Sequence, residues 1–279
     1  MDTIALMGAG GKMGLRITEK LKDNPDHTTL YVEISDAGKA ELTKLGLSAT
    51  PQDEAIGQAD VVILAVPDAL MGKICADIVP KVKSGTMVMG LDPAAGYAGV
   101  LPDRKDISYF ISHPCHPPLF GDETDPEALH DWFGSVKAKQ SIVCSLHQGP
   151  DADYAKGEAV ARVIFAPVTR AHRVTTEQMA ILEPALVETL ALTCFSVIRE
   201  AMEEVIRMGV PEQAVFDFLM GHLRTTAAIV FDYAGAPVSD GAKLAMEQAK
   251  KDIFQPDWQK ILKIENIQQS VRSITHAAG

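Results

Sequence analysis

Four apolar residues in a row, Ile4-Ala5-Leu6-Met7, open the chain without polar alternation, which is the pattern of a strand buried on both faces of a parallel sheet. From Leu15 to Leu21 apolar positions return at helical spacing. Between the two stands Gly8-Ala9-Gly10-Gly11-Lys12-Met13-Gly14, so a strand, a glycine cluster and a helix follow one another directly. The strand pattern then recurs. Thr28 to Ser35 predicts a second strand, and Ala59 to Val66 a third that stops at Pro67-Asp68. Thr86 to Leu91 predicts a fourth, with Asp92-Pro93-Ala94-Ala95-Gly96 as its terminal loop. Ile107 to Ser112, Ser141 to His147 and Val168 to Val174 read as further strands, with an amphipathic helix over 151–165. This order predicts an α/β domain over residues 1–175, a Rossmann-type doubly wound parallel sheet.

From Thr176 the texture changes to long apolar-periodic stretches at 178–208, 212–233 and 243–251, punctuated by Gly209-Val210-Pro211 as a stop and a proline-led start. Residues 176–279 therefore read as an all-α second domain. Its first helix is apolar on more than one face, which suits both a domain core and a subunit interface, and a homodimer is expected.

The glycine cluster carries the first functional expectation. Glycines between a strand and a helix let the chain turn tightly and bring backbone N–H groups against a pyrophosphate. Gly8, Gly11 and Gly14 fit one spacing, and Gly8 and Gly10 another with Met13 at the third place, so Gly8, Gly10, Gly11, Lys12, Met13 and Gly14 are the expected cofactor contacts. Asp36 lies 22 residues after Gly14, close to the separation of roughly 20 at which a carboxylate meets the ribose hydroxyls, and it favours NAD over NADP. Glu33 competes for that role but reads as lying inside the second strand. Val66, Pro67 and Asp68, at the end of the third strand, should lie beside the cofactor.

Composition narrows the classes. A chain of 279 residues with 47% hydrophobic residues can bury a sizeable core. A formal charge of −11 with no long basic run argues against nucleic acid as partner. No uninterrupted run of about 18 apolar residues is present, so no membrane span is expected. Four scattered cysteines without a paired motif, and no signal peptide, point to a reduced, cytoplasmic setting.

Catalytic candidates lie at the next strand end. His113-Pro114-Cys115-His116-Pro117-Pro118 follows a strand on the cofactor side of the sheet, and the prolines exclude a helix there. A histidine can take a hydroxyl proton during hydride transfer, and two histidines three apart can also bind a divalent metal. Each equally suits a loop-bracing hydrogen bond. Glu183 and Glu188 interrupt an apolar helix; beside Pro184, Glu183 reads as a helix-start acid, whereas Glu188 falls deeper and reads as a candidate ligand. Tyr154, Arg170, His172, Arg173, His222 and Arg224 are further polar residues in apolar settings, each more simply structural.

The glycine cluster, Val32 to Gly38, Ala65-Val66-Pro67-Asp68, the double-histidine proline loop and Leu182-Glu183-Pro184-Ala185-Leu186 together resemble the D-apionate oxidoisomerases, within the wider 6-phosphogluconate and β-hydroxyacid dehydrogenase group. The likeness covers most of the chain in order. The wider group carries a lysine early in its second domain; here none occurs between Lys156 and Lys243, and Glu188 lies about where it would be expected. The resemblance implies NAD-dependent oxidation at C2 of D-apionate, a small anionic polyhydroxy acid, followed by hydroxymethyl migration to 3-oxo-isoapionate. A divalent cation would help that migration, and His116 and Glu188 are expected to hold it, with His113 as ligand or base. A plain dehydrogenase of a small hydroxy acid or semialdehyde, with His113 as base and no metal, is the enzymatic alternative; a dinucleotide-sensing binding protein is the non-enzymatic one.

Overall fold

The computed structural model describes residues 1–276, so the last three positions of the expected second domain lie outside the described residues. The first half alternates strands and helices: β1 (Asp2–Met7), α1 (Lys12–Leu21), β2 (His27–Val32), α2 (Asp36–Lys44), α3 (Gln52–Gln58), β3 (Val61–Leu64), α4 (Asp68–Ile78), β4 (Met87–Gly90), α5 (Ala94–Tyr97) and β5 (Ser108–Pro114). Then come α6 (Pro126–Leu129), β6 (Gln140–Gln148), α7 (Asp153–Ile164), β7 (Val168–Arg173) and α8 (Thr176–Ala180). The remainder is helical: α9 (Thr193–Arg207), α10 (Glu212–Val230), α11 (Asp240–Ile253) and α12 (Ile264–His276).

Seven strands form one sheet in the order β2-β1-β3-β4-β5-β6-β7. Strands β1 to β5 are parallel, as their continuous apolar runs predict, but β6 runs antiparallel to β5, so the sheet is mixed at that side. Alternate residues feed two cores on opposite faces. Ile4, Leu6, Ile63, Met89 and Phe110 pack with Ile17 and Leu21 of α1 and Val160 of α7. Ala5, Met7, Val62, Leu64 and Val88 pack with Ile56 of α3 and Met71, Cys75 and Ile78 of α4.

Most strand ends shift by one or two residues, and three differences bear on the site. β2 ends at Val32 rather than Ser35, because the Glu33 carboxylate captures the N–H groups of Ile34 and Ser35, and Ser35 then caps α2. Pro184 does not start a helix. The start lies at α8, where Thr175 and Gln178 form a reciprocal capping box, so Glu183 is not a helix-start acid. Proline cannot donate the usual ladder bond, and the helix takes it in by widening to a π-helical run over Ile181–Leu192, with the Thr189 hydroxyl donating to the Pro184 carbonyl at 2.6 Å. Third, the chain divides into compact units at Glu183/Pro184 rather than at 175/176, and the residues from Gln268 return to the first unit. Burial explains the shift: Thr176, Met179 and Ala180 of α8, and Val271 of α12, are buried.

The helical unit, Pro184–Ile267, has only five buried residues, Pro184, Ala185, Met202, Val215 and Ile267, while Phe195, Phe216, Phe218 and Leu244 stand exposed. The helical stretch Thr176–Arg207 is long and apolar enough, by length and composition alone, to cross a membrane, an 18-residue window within it having a mean hydropathy of 1.7.

Phe110 is fully buried and its ring lies against Gly157 of α7, where no side chain intervenes. Phe110→Ala is expected to cost about 3–5 kcal/mol of stability, read as a lower urea midpoint.

Candidate active site

The strand order reverses between β1 and β3, and the crevice at their carboxyl ends is where a doubly wound sheet takes a dinucleotide. Gly8 holds it open. Its φ is +75°, and a Cβ there would stand 2.4 Å from the Ala65 carbonyl oxygen, so only glycine fits. A Cβ on Gly14 would meet the Gly8 oxygen at 1.9 Å, which fixes how closely α1 approaches the loop. Gly11 is the N-cap of α1 without any side-chain cap, so the first-turn amides, those of Lys12 and Met13 among them, remain for an anion. Val66 borders Gly8, and Pro67 and Asp68 lead into α4. The structure thus brings these expected cofactor residues around one crevice.

Asp36 is placed differently. It is an exposed first-turn residue of α2, whereas Glu33 stands at the strand end and reaches the glycine loop. One Glu33 carboxylate oxygen accepts from Gly10 N–H at 3.0 Å; the other accepts from the N–H groups of Ile34 and Ser35 and from the Ser35 hydroxyl, each at 2.9 Å. Burial alone would push this acid up, but the hydrogen bonds outweigh it and hold it below its ordinary value.

His113 sits at the end of β5, beside the end of β4. Its Nδ1–H donates to the Leu91 carbonyl at 2.8 Å, which leaves Nε2 with its lone pair in the neutral ring. Nε2 is buried without a hydrogen-bond partner and faces Glu183 Oε2 at 3.5 Å. An imidazole nitrogen and a carboxylate oxygen facing each other in this way can share a cation. Asp92 completes the surroundings, with one carboxylate oxygen 4.0 Å from His113 Nδ1 and the other accepting from Ala94 N–H at 2.7 Å. Burial, reinforced by Asp92 and partly offset by His113, pushes Asp68 up to about 6.

The ring of His116 is centred 6.1 Å from that of His113, on a residue with φ +59°, and its Nδ1 donates to the Phe133 carbonyl at 2.9 Å. Its Nε2 is the nitrogen left for a ligand role. Glu188 belongs to the helical unit and is exposed. No group of three or more His, Cys, Asp and Glu side chains is already gathered around a metal position among the described residues. Glu33 lies just past the end of its strand and Glu183 past a helix start at Thr175, unlike the mid-strand and helix-start positions their sequence context suggests, and Asp92 belongs to a strand-terminal loop. The other polar residues have structural settings: Arg173 lies over the Tyr154 ring at 4.2 Å, His222 bonds the Phe218 carbonyl, and Arg170, His172 and Arg224 are exposed.

Comparison with known proteins finds relatives over both units. The acetohydroxy acid isomeroreductase NADPH-binding domain family matches residues 1–100, and the phosphogluconate dehydrogenase (decarboxylating) C-terminal family matches 121–275. The D-apionate oxidoisomerase of Rhizobium rhizogenes is 50% identical over 276 residues, covering 99% of this chain and 100% of its own. That of Cupriavidus necator is 49% identical over 275 residues, 98% of this chain and 99% of its own. A crystal structure of a semialdehyde dehydrogenase NAD-binding protein from Cupriavidus necator, in complex with calcium and NAD, superposes with a TM-score of 0.96 at 49% identity, covering 99% of this chain and 100% of that one.

A glycine-loop crevice with a half-buried histidine at the neighbouring strand ends, followed by a helical unit, defines a dinucleotide-dependent oxidoreductase of the 6-phosphogluconate dehydrogenase-like class. Within that class the relatives are specific, and the chain belongs to the D-apionate oxidoisomerase family.

The raised Asp68 has a consequence for stability. Its folded value of about 6 exceeds the ordinary 3.8, so the folded state holds the proton more tightly than the unfolded state, and stability is lost as pH rises through this interval. Asp68→Asn is expected to flatten that slope, seen as urea midpoints that match wild type near the lower limit and exceed it at neutral pH.

Proposed function

We propose that this protein oxidises D-apionate with NAD and rearranges the carbon skeleton to 3-oxo-isoapionate. The observation that carries the reading is His113, locked by the Leu91 carbonyl so that its unpartnered Nε2 faces Glu183 beside the dinucleotide crevice. The name shared by the relatives at 49% and 50% identity supports the substrate, and the calcium and NAD of the 49% identical neighbour support the cofactors.

When bound, NAD would supply the hydride acceptor for C2, and a divalent cation would supply the Lewis acidity that favours the carbonyl and the ionised C3 hydroxyl. The donor set suits such a cation: an imidazole lone pair and a carboxylate oxygen 3.5 Å apart, one of them a buried nitrogen with no hydrogen bond. His113 and His116, with Glu188 from the helical unit, are the proposed ligands, and Glu183 joins them as the carboxylate facing His113.

The residues then have distinct work. The amides at the start of α1 bind the pyrophosphate, and Glu33 holds Gly10 in place for it. In the oxidation the C2–H bond breaks with its electron pair leaving as hydride, and His113 Nε2, where it is free, takes the C2 hydroxyl proton. Glu183 stabilises the imidazolium formed. In the rearrangement the C3 hydroxyl gives up its proton, the C3–hydroxymethyl bond breaks as the same carbon bonds to C2, and C3 becomes the ketone. The C2 oxygen takes a proton back, so the second step is redox-neutral. Where His113 is occupied as a ligand, Glu183 is the nearby acceptor for the same proton.

The protein is further proposed to act as a cytoplasmic homodimer on a small anionic acid, without nucleic-acid or membrane partners. Four free cysteines support the reduced setting, and the exposed apolar side chains of the helical unit support the dimer.

Incubation with NAD and D-apionate, with and without a chelator, tests the reaction, with NADH followed by absorbance and the skeleton by NMR. NADH with a rearranged skeleton, lost on chelation, is the expected result; NADH with an unchanged skeleton would leave the plain dehydrogenase, and NAD affinity with no turnover the binding protein. His113→Ala is expected to lower kcat by ~10²–10⁴-fold, measured as initial NADH formation. His116→Ala and Glu188→Ala are expected to lose bound metal by elemental analysis, and full metal content in either would remove that residue from the set. Glu33→Gln, which gives up charge-assisted bonds, is expected to weaken NADH binding about tenfold in a fluorescence titration.

A further inference from the structure

We infer that Thr18 and Gly38 are positioning residues for the dinucleotide: with Glu33 they lock the Ala9–Gly10 peptide in one orientation, which commits pyrophosphate binding to the amides of Lys12, Met13 and Gly14. The inference rests on the dinucleotide crevice described above and adds what fixes the loop within it.

Both ends of one peptide unit are held. Ala9 is fully buried, and its carbonyl accepts the Thr18 hydroxyl at 3.1 Å; no other donor among the described residues reaches that oxygen. A helical threonine ordinarily bonds the carbonyl one turn back in its own helix, so a hydroxyl that reaches instead to a loop carbonyl nine residues back acts on the loop. At the other end of the same peptide, Gly10 N–H donates to Glu33 at 3.0 Å. A peptide unit is planar, so a bond at each end fixes its rotation about the chain. Close packing adds a third restraint. A Cβ on Gly10 would stand 2.2 Å from the Gly38 carbonyl oxygen, and a Cβ on Gly38 would stand 2.4 Å from the Glu33 carboxyl carbon. Gly38 belongs to α2, outside the glycine cluster, and its missing side chain is what lets the Glu33 carboxylate lie between α2 and the loop.

This orientation decides where an anion can be held. The N–H groups of Gly8 and Ala9 both donate to the Val32 carbonyl, at 2.9 and 3.1 Å, that of Gly10 donates to Glu33, and that of Gly11 to the Gly8 carbonyl at 3.0 Å. The first four amides of the cluster are therefore already bonded within the protein. Those of Lys12, Met13 and Gly14 have no acceptor among the described residues, and they open the helix whose dipole favours negative charge. Rotation of the Ala9–Gly10 peptide would take a donor from Glu33 and leave the buried Ala9 carbonyl unpaired, and both losses oppose it. A loop held in its binding geometry beforehand gives up less affinity to ordering when the cofactor arrives.

Fluorescence titration of the intact protein with NADH alone tests the clamp without any turnover. Thr18→Val keeps the side-chain shape but removes the hydroxyl, and is expected to weaken NADH binding about fivefold, whereas Thr18→Ser keeps the donor and is expected to stay within about twofold of wild type. Gly38→Ala, which forces Glu33 off the loop, is expected to weaken binding by about fivefold as well, with a urea midpoint no lower than wild type because alanine is the better helix former. Since Thr18 and Glu33 hold one peptide, Thr18→Val combined with Glu33→Gln is expected to cost less than the product of the two single losses. In steady state Thr18→Val is expected to raise KM for NAD by more than it lowers kcat. Wild-type affinity in folded Thr18→Val or Gly38→Ala, an equal loss in Thr18→Ser, or fully multiplicative losses in the double variant would each overturn the inference. A wild-type protein that binds no NADH would overturn it together with the dinucleotide reading, while NADH affinity that follows this pattern without turnover of D-apionate would sink the catalytic proposal and leave the clamp standing.

Discussion

One hydrogen bond organises the site: the donation from His113 Nδ1 to the Leu91 carbonyl. A carbonyl oxygen can only accept, so this bond decides which ring nitrogen carries the proton and leaves the other as a base or ligand. It also joins the ends of two adjacent parallel strands, β4 and β5, at the edge where a doubly wound sheet meets its ligand. The parallel pairing sets the position of both groups, and the packing of Phe110 and Ile111 into the sheet holds β5 to that register. The geometry of this candidate site follows from strand register.

The second constraint is the proline inside a helix. Pro184 interrupts hydrogen bonding one residue after Glu183, and the helix responds by widening instead of ending. Because the helix has already started at a capped Thr175, with Thr176 bonded to Ser145 and His147 of β6, Glu183 is delivered to His113 from an anchored element. An exposed loop would not hold a carboxylate 3.5 Å from a buried nitrogen with comparable accuracy.

Most of the first unit was legible in the chain because it follows simple periodicities. Unbroken apolar runs gave the parallel strands, and the glycine cluster between β1 and α1 gave the crevice, since the steric demand at Gly8 and Gly14 is visible in residue type. What escaped were features governed by side chains competing with the backbone. Glu33 ends its strand by capturing the amides that would have extended it, which a propensity reading of Val-Glu-Ile-Ser does not reveal. Glu183 was discounted because proline beside an acid resembles a helix start, while the true start lay eight residues upstream in a capping box. The reversal of β6 against β5 was hidden for another reason: a buried strand has the same apolar texture in either direction.

¹⁵N NMR of histidine-labelled protein at mildly alkaline pH, compared with His113→Gln for assignment, reads the proton position on this ring directly. His113 is expected to carry its proton on Nδ1 and a lone pair on Nε2, with an Nε2 resonance that moves when a divalent cation and NAD are added. A neutral His113 that carries its proton on Nε2 would contradict it, because the Leu91 carbonyl would then have no donor and the nitrogen facing Glu183 could neither accept a proton nor hold a cation.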